Sequence, residues 1–118
     1  MRAIITTLAS FALLTSVAQA DGFKRITSKE DYIEQVAGKN YCNETGCWKV
    51  RKNGKMSGKF GEAKLKGKWK WSKGFACRSA SLGKKDLGSD CQIVETNGKQ
   101  IRVTRDQGKG KSVVYVTK

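Results

Sequence analysis

The stretch A-K-L-K-G-K-W-K-W-S-K, residues 63 to 73, decides the fold. Ala63, Leu65, Gly67, Trp69 and Trp71 fall on one parity, while Lys64, Lys66, Lys68 and Lys70 fall on the other. A period of two is that of an extended strand, whose successive side chains leave on opposite faces. The pattern predicts a strand with its indoles on a buried face and its lysines on a cationic one. Alternate residues of a strand lie about 6.6–6.8 Å apart, so the four ammonium groups form a ridge about 20 Å long.

The chain on either side reads as more strands around the same buried face. From Lys39 onward Gly or Asn-Gly punctuates the sequence every eight to twelve residues or so, the spacing of short antiparallel strands. Residues 47–52 alternate Trp48 and Val50 with Lys49 and Arg51. Asn53-Gly54 then has the signature of a type I′ hairpin turn. The returning strand holds Met56, Gly58 and Phe60, with Lys55 and Lys59 beside them. After Lys73-Gly74 come Phe75, Cys77 and Ser79. Residues 79–89, poor in bulky apolar side chains, are expected as the longest loop, with a tethered base. Strands through Cys91–Glu95, Ile101–Arg105 and Ser112–Thr117 follow, separated by Asn97-Gly98 and by a turn at Asp106–Gly110. This predicts a mainly β domain, an antiparallel meander of about seven strands that curls into a small barrel or two-layer sheet. No proline interrupts any of it.

One helix is predicted, over residues 28–37. Thr27-Ser28-Lys29-Glu30 has the pattern of a capping box, Tyr32, Ile33, Val36 and Ala37 make one apolar stripe, and Gly38 is a natural left-handed stop. The helix is expected to cover an open end or edge of the sheet.

Residues 1–20 read as a signal peptide: Arg2, an apolar run from Ala3 to Val17, and the small-x-small site Ala18-Gln19-Ala20. This leaves residues 21–118 as a single domain, periplasmic or secreted, with no later transmembrane segment and expected as a monomer. All four cysteines lie in that part. In an oxidising compartment they read as two disulfides rather than a zinc site, because Cys77 and Cys91 do not have ligand spacing. Of three possible pairings, Cys42–Cys47 with Cys77–Cys91 is favoured.

Chemistry is constrained mostly by what is missing. The chain has no histidine, hence no Ser-His or Cys-His nucleophile arrangement, and no phosphate-binding glycine motif. Asp86 and Asp90, beside Lys84 and Lys85, suit ion pairing or solvation better than acid–base work. No enzyme activity, cofactor or metal is expected. The formal charge is +14, or +13 without Arg2. Such a balance favours polyanions, because like charges gathered on a fold repel one another. The candidate anion-binding set is Lys64, Lys66, Lys68 and Lys70, joined by Lys49, Arg51 and Arg102 from strands expected to neighbour them. The expected partner is an anionic envelope component, a lipid head group or acidic glycan, with nucleic acid a less specific one. A small protein inhibitor or envelope accessory factor is the alternative function. Trp48, Phe60, Trp69, Trp71 and Phe75 are expected as core packing before pocket lining.

The run from Gly58 to Arg78, with Asp90–Glu95 and Gly98–Gly110, resembles a family of small exported bacterial proteins of unassigned function. Its shared features are a G-x-W-x-W-x-x-G-x-x-C-R segment and a later D-C-Q. The resemblance implies a Cys77–Cys91 bridge and structural weight for Trp69, Trp71 and Arg78. Members often carry the label dihydrodipicolinate reductase. That activity needs a nicotinamide cofactor on a dinucleotide fold, for which this chain has neither fingerprint nor length.

Overall fold

Alternation does what it predicts. In the computed structural model, which describes residues 22–118, Ala63–Ser72 form a ten-residue strand, β5. Leu65 and Trp69 are buried, and Lys64, Lys66, Lys68 and Lys70 are all exposed. In chain order the other elements are β1 (Lys24–Arg25), α1 (Lys29–Gln35), β2 (Tyr41–Asn43) and β3 (Gly46–Val50). They continue with β4 (Lys55–Phe60), β6 (Phe75–Leu82), β7 (Lys85–Thr96), β8 (Gln100–Thr104) and β9 (Ser112–Thr117). Strands β2 to β9 each pair with the next in antiparallel fashion, and β9 returns to pair with β2. The sheet is thus a closed eight-stranded meander barrel, with β1 added beside the end of β7. The expected count of about seven fell short because β1 and β2, of two and three residues, are too brief to show a period.

Closure comes together at a short seam. Only Tyr41↔Thr117 and Cys42↔Val116 pair across it, extended by the Lys118 amide on the Asn40 carbonyl at 2.9 Å. The Cys42–Cys47 disulfide ties short β2 to β3 at directly opposed positions, and Cys77–Cys91 does the same between β6 and β7. The favoured pairing is the one formed.

The helix lies across one end of the barrel. Ser28, rather than Thr27, is its cap: its hydroxyl accepts from the Asp31 amide at 3.1 Å. Gly38 takes a left-handed φ of 84° and its amide bonds to the Val50 carbonyl, fastening the helix end to β3. Tyr32 and Val36 are buried with Ile26, Trp69, Val94 and Ile101, the Tyr32 ring set edge-on to Trp69 at 4.9 Å and tilted against Trp71 at 5.4 Å.

Two local expectations are corrected. Residues 79–89 are not a loop: β6 runs to Leu82 and β7 starts at Lys85, with Ser79 paired to Ser89 and a register shift after Ala80. The hydroxyls of Ser79 and Ser89 meet at 2.7 Å. Small residues here reflect a polar outer face and a narrow inner one, not a lack of strand. At Asn53-Gly54 only Gly54 has positive φ, 93°, and Arg51 pairs with Lys55, so the turn is a three-residue one with a left-handed glycine. The two-residue turn with both centres at positive φ is Lys73-Gly74, at 53° and 86°. The signal-peptide reading concerns residues outside those described.

Removing the Cys77–Cys91 bridge by Cys77→Ser with Cys91→Ser is expected to lower unfolding free energy by about 3 kcal/mol on loop entropy. The same change at Cys42 and Cys47, closing a smaller ring, should cost about 2 kcal/mol. Denaturant midpoints read both. The smaller loss should carry the wider local effect, seen as faster amide exchange along β2 and β9.

Burial pushes the Tyr32 phenol well above its ordinary value, with Tyr41 nearby adding to this, and pushes Tyr41 up to about 12. Stabilisation from these neutral phenols is complete below the ordinary tyrosine pKa of about 10 and is lost as pH rises beyond it, because the unfolded chain ionises first. Tyr32→Phe should therefore gain on wild type between about pH 9 and pH 11.5, by up to about 1.4 kcal/mol per pH unit. A difference in urea midpoint that stays constant over that range would contradict this.

Candidate functional site: an outer lysine wall and an inner lumen

Register decides which charges meet on the outside. Lys55 lies directly opposite Lys68, and Lys59 opposite Lys64. Lys66 faces Ser57, which in turn faces Lys49 on β3. With Lys70 this gives seven lysines on three neighbouring strands. Directly opposed side chains in an antiparallel pair have Cβ atoms about 4.5–5.5 Å apart, and like charges so placed destabilise the sheet. Among the described residues none of these ammonium groups is in an ion pair. The outer positions between them are small or polar, with Ser57, Ser79 and Ser81 in the same rows and no aromatic ring.

Not all the sequence-predicted residues join this wall. Lys64, Lys66, Lys68, Lys70 and Lys49 do. Arg51 is exposed past the end of β3, in the turn beside the helix, where its carbonyl accepts from the Trp69 indole at 2.7 Å. Arg102 does not: it sits on β8, three strands from β5, where its guanidinium is bidentate to Glu95 at 2.9 and 3.0 Å and lies 4.4 Å from the Phe23 ring centre. Distance along the chain gave no sign of which wall β8 would occupy. Lys55 and Lys59, directly opposite the central row, belong to this wall more closely than either arginine.

Inside, the barrel is not filled. A cavity of about 440 Å³ occupies the lumen, bounded below by Tyr32 and open between the β2–β3, β4–β5, β6–β7 and β8–β9 connections. Trp48 and Trp69 are buried in the core, as expected, with Phe60 packed against it, and all three also line the cavity, whereas Trp71 packs on Tyr32 and Phe75 lies under Arg25. Ala76 of β6 is the smallest side chain lining it. Gly67, opposite Ala80, instead lets β5 and β6 approach closely, since a methyl there would collide with the Ser79 carbonyl and with Ala80.

The lumen also holds polar groups. Arg78, midway along β6, and Arg105, at the end of β8, reach it from two strands, and Tyr115 from a third. Arg78 spends one N–H on the Gly88 carbonyl at 3.0 Å. The nearest carboxylate, Asp90, is occupied by the Gln92 amide at 2.9 Å and the Asp106 backbone amide at 3.0 Å. Desolvation lowers the Arg78 pKa, opposed by Asp90 and reinforced by Arg105. Burial likewise raises the Tyr115 phenol, with Arg105 and Arg78 pulling it back. The turn after Arg105 is tightly wound, Asp106 and Gln107 both taking φ near 54°, at 53° and 55°.

The lumen's cations were legible only as a parity anomaly. Ala76, Arg78, Ala80 and Leu82 share one parity, as do Ile101, Val103 and Arg105, so each arginine interrupts an inward-facing series. Among the described residues no three His, Cys, Asp or Glu side chains come together as metal ligands. Comparison with protein-family models, with curated proteins and with solved structures finds no match to this chain.

Arg102→Gln should lose the Glu95 pair, whose side chains are about a quarter exposed, and cost up to about 1 kcal/mol of stability. Binding to a polyanion resin, read as the salt concentration of elution, is expected to stay at the wild-type value apart from the shift due to one unit of net charge. A loss as large as that from Lys68→Gln would return Arg102 to the binding wall.

Proposed function

We propose that this is an exported, non-enzymatic binding protein that engages an anionic envelope surface or acidic polymer through the lysine wall of β3, β4 and β5. The observation that carries the reading is the direct opposition of Lys55 to Lys68 and of Lys59 to Lys64, without a neutralising carboxylate among the described residues. Repulsion of this kind costs the folded protein free energy that an anionic partner returns. Two disulfides, with no free cysteine among the described residues, fit an oxidising compartment.

The chemistry of the wall narrows the mode of binding. It presents ammonium groups and hydroxyls but no apolar anchor, so contact with head groups or carboxylated sugars rests on charge alone. A base-stacking mode for single-stranded nucleic acid is unsupported, since Trp48, Phe60, Trp69 and Trp71 on these strands take the opposite parity and the outward Phe75 ring is covered by Arg25. A lysine close to an anionic lipid surface contributes about 1 kcal/mol, and this fades beyond a Debye length of about 8 Å at physiological salt.

Sedimentation with anionic and with neutral vesicles, and a parallel arm with an acidic polysaccharide, test the reading at low and high salt. Lys64→Gln, Lys66→Gln and Lys68→Gln together should weaken binding about a hundred-fold. The same triple variant should be no less stable than wild type, and more stable by a few tenths of a kcal/mol per relieved pair, on the order seen for cross-strand charges. Binding that ignores both salt and the triple variant would sink the lysine wall as the site. The two arms separate a lipid surface from a glycan.

A further inference from the structure

The lumen is independent of the lysine wall and asks for a different kind of ligand. We propose that it binds a single-chain amphiphile carrying one anionic head group, the head held by Arg78 and Arg105 beside the Tyr115 hydroxyl and the chain lying against the apolar wall. Four observations converge on this. The cavity, about 440 Å³, falls within the roughly 300–1,000 Å³ usual for small-molecule sites. Its sides are mostly apolar, with Trp48, Leu65 and Trp69 among them.

Polar groups in it are left open. The Trp48 indole N–H belongs to a lining residue only 5% exposed and has no hydrogen-bond partner among the described residues, nor has the hydroxyl of half-buried Tyr115. Buried donors are satisfied in folded proteins as a rule, so unmatched donors on lining residues favour an occupant. Finally, the positive charge is only partly offset from within. One carboxylate, Asp90, lies across from Arg78 without forming an ion pair with it, Arg78 uses one of its five N–H groups on Gly88, and Arg105 makes no side-chain hydrogen bond or ion pair with a described residue.

These features exclude simpler occupants. A wholly apolar molecule would strip water from the half-buried Arg78 guanidinium and return nothing to it. A small free anion would pair with the arginines and leave the apolar wall wet. An alkyl carboxylate, sulfate or phosphate satisfies both, a planar guanidinium being well matched to a carboxylate or phosphate oxygen pair. The helix closes the lower end, so the chain enters from the opposite rim, past Arg105.

Dodecanoate and 1-dodecanol, each below the concentration at which it aggregates, test this on the purified protein by calorimetry and by tryptophan fluorescence. Dodecanoate should bind one per chain with a change in emission from Trp48 and Trp69, and dodecanol about ten-fold more weakly, the worth of one charge-assisted contact. Arg78→Gln with Arg105→Gln should erase that ten-fold preference and leave dodecanol binding as it was. Ala76→Phe, which puts a ring into the lumen, should abolish both. The arginine variants leave the apolar core untouched, so the preference remains readable even where Ala76→Phe does not fold. Equal affinity for acid and alcohol, or a preference that survives loss of both arginines, overturns the head-group site. No binding of either, with unchanged fluorescence, means the lumen holds water only and overturns the proposal entirely.

Discussion

Closure of the sheet is the constraint on which everything else rests. Once β9 pairs with β2, no strand of the ring keeps an unpaired edge, and every residue from β2 to β9 belongs either to the lumen or to the outer wall. A ring of eight strands is just wide enough for side chains to fill it or to hold one small ligand. Which of the two happens depends on side-chain size, and here Gly58, Gly67, Ala76 and Ala80 stand at inward positions among the tryptophans. Of the four only Ala76 lines the cavity, and a large residue there would fill it, whereas Gly58 and Gly67 lie against neighbouring backbone with no room for a side chain. The seam that permits all this is also the thinnest part of the sheet, which gives the Cys42–Cys47 bridge a reason to sit where it does.

The outer surface shows what closure makes affordable. Seven lysines on adjacent strands weaken the β4–β5 pairing, yet β5 is the central strand of a long ladder: it pairs with β4 over six positions and with β6 over eight. Extensive pairing on both sides tolerates a repulsive face that a short or edge strand would not. On β9, half-way round the ring, the outer face instead carries Val114 and Val116, the two exposed large apolar side chains among the described residues. Charge is therefore sorted by wall as well as by face.

How much of this could be read beforehand depended on the range of the interactions involved. The alternation of β5 and the Gly38 stop follow from local spacing and were legible, whereas the disulfide pairing was only the favoured one of three and is the one formed. Residues 79–89 were misread because a strand was sought through bulky residues, whereas this one alternates serines outside with small or leucine side chains inside. Arg102 was misassigned because parity gives the face of a strand but not its place around a ring. The lumen was hidden for a related reason: a fully packed barrel and one that keeps a cavity beside its core share the same alternation, and only the summed volumes of residues far apart in sequence distinguish them.

Both surfaces meet in β5, and that makes its register the critical variable. A slip by one residue would turn four ammonium groups into the lumen and both tryptophans to water, since the side-chain period is two. Alternation forbids that slip but not one of two residues, because the same pattern pairs equally well two residues along. Two contacts do. The Trp69 indole reaches the Arg51 carbonyl at 2.7 Å, which fixes β5 against the β3–β4 turn. Gly67 sits where β6 approaches too closely for any side chain, with the Ser79 carbonyl and Ala80 against it, so a shift by two would drive Leu65 or Trp69 into that contact. A hydrogen bond on one side and a missing Cβ on the other thus set which lysines face each other outside and which rings frame the cavity within.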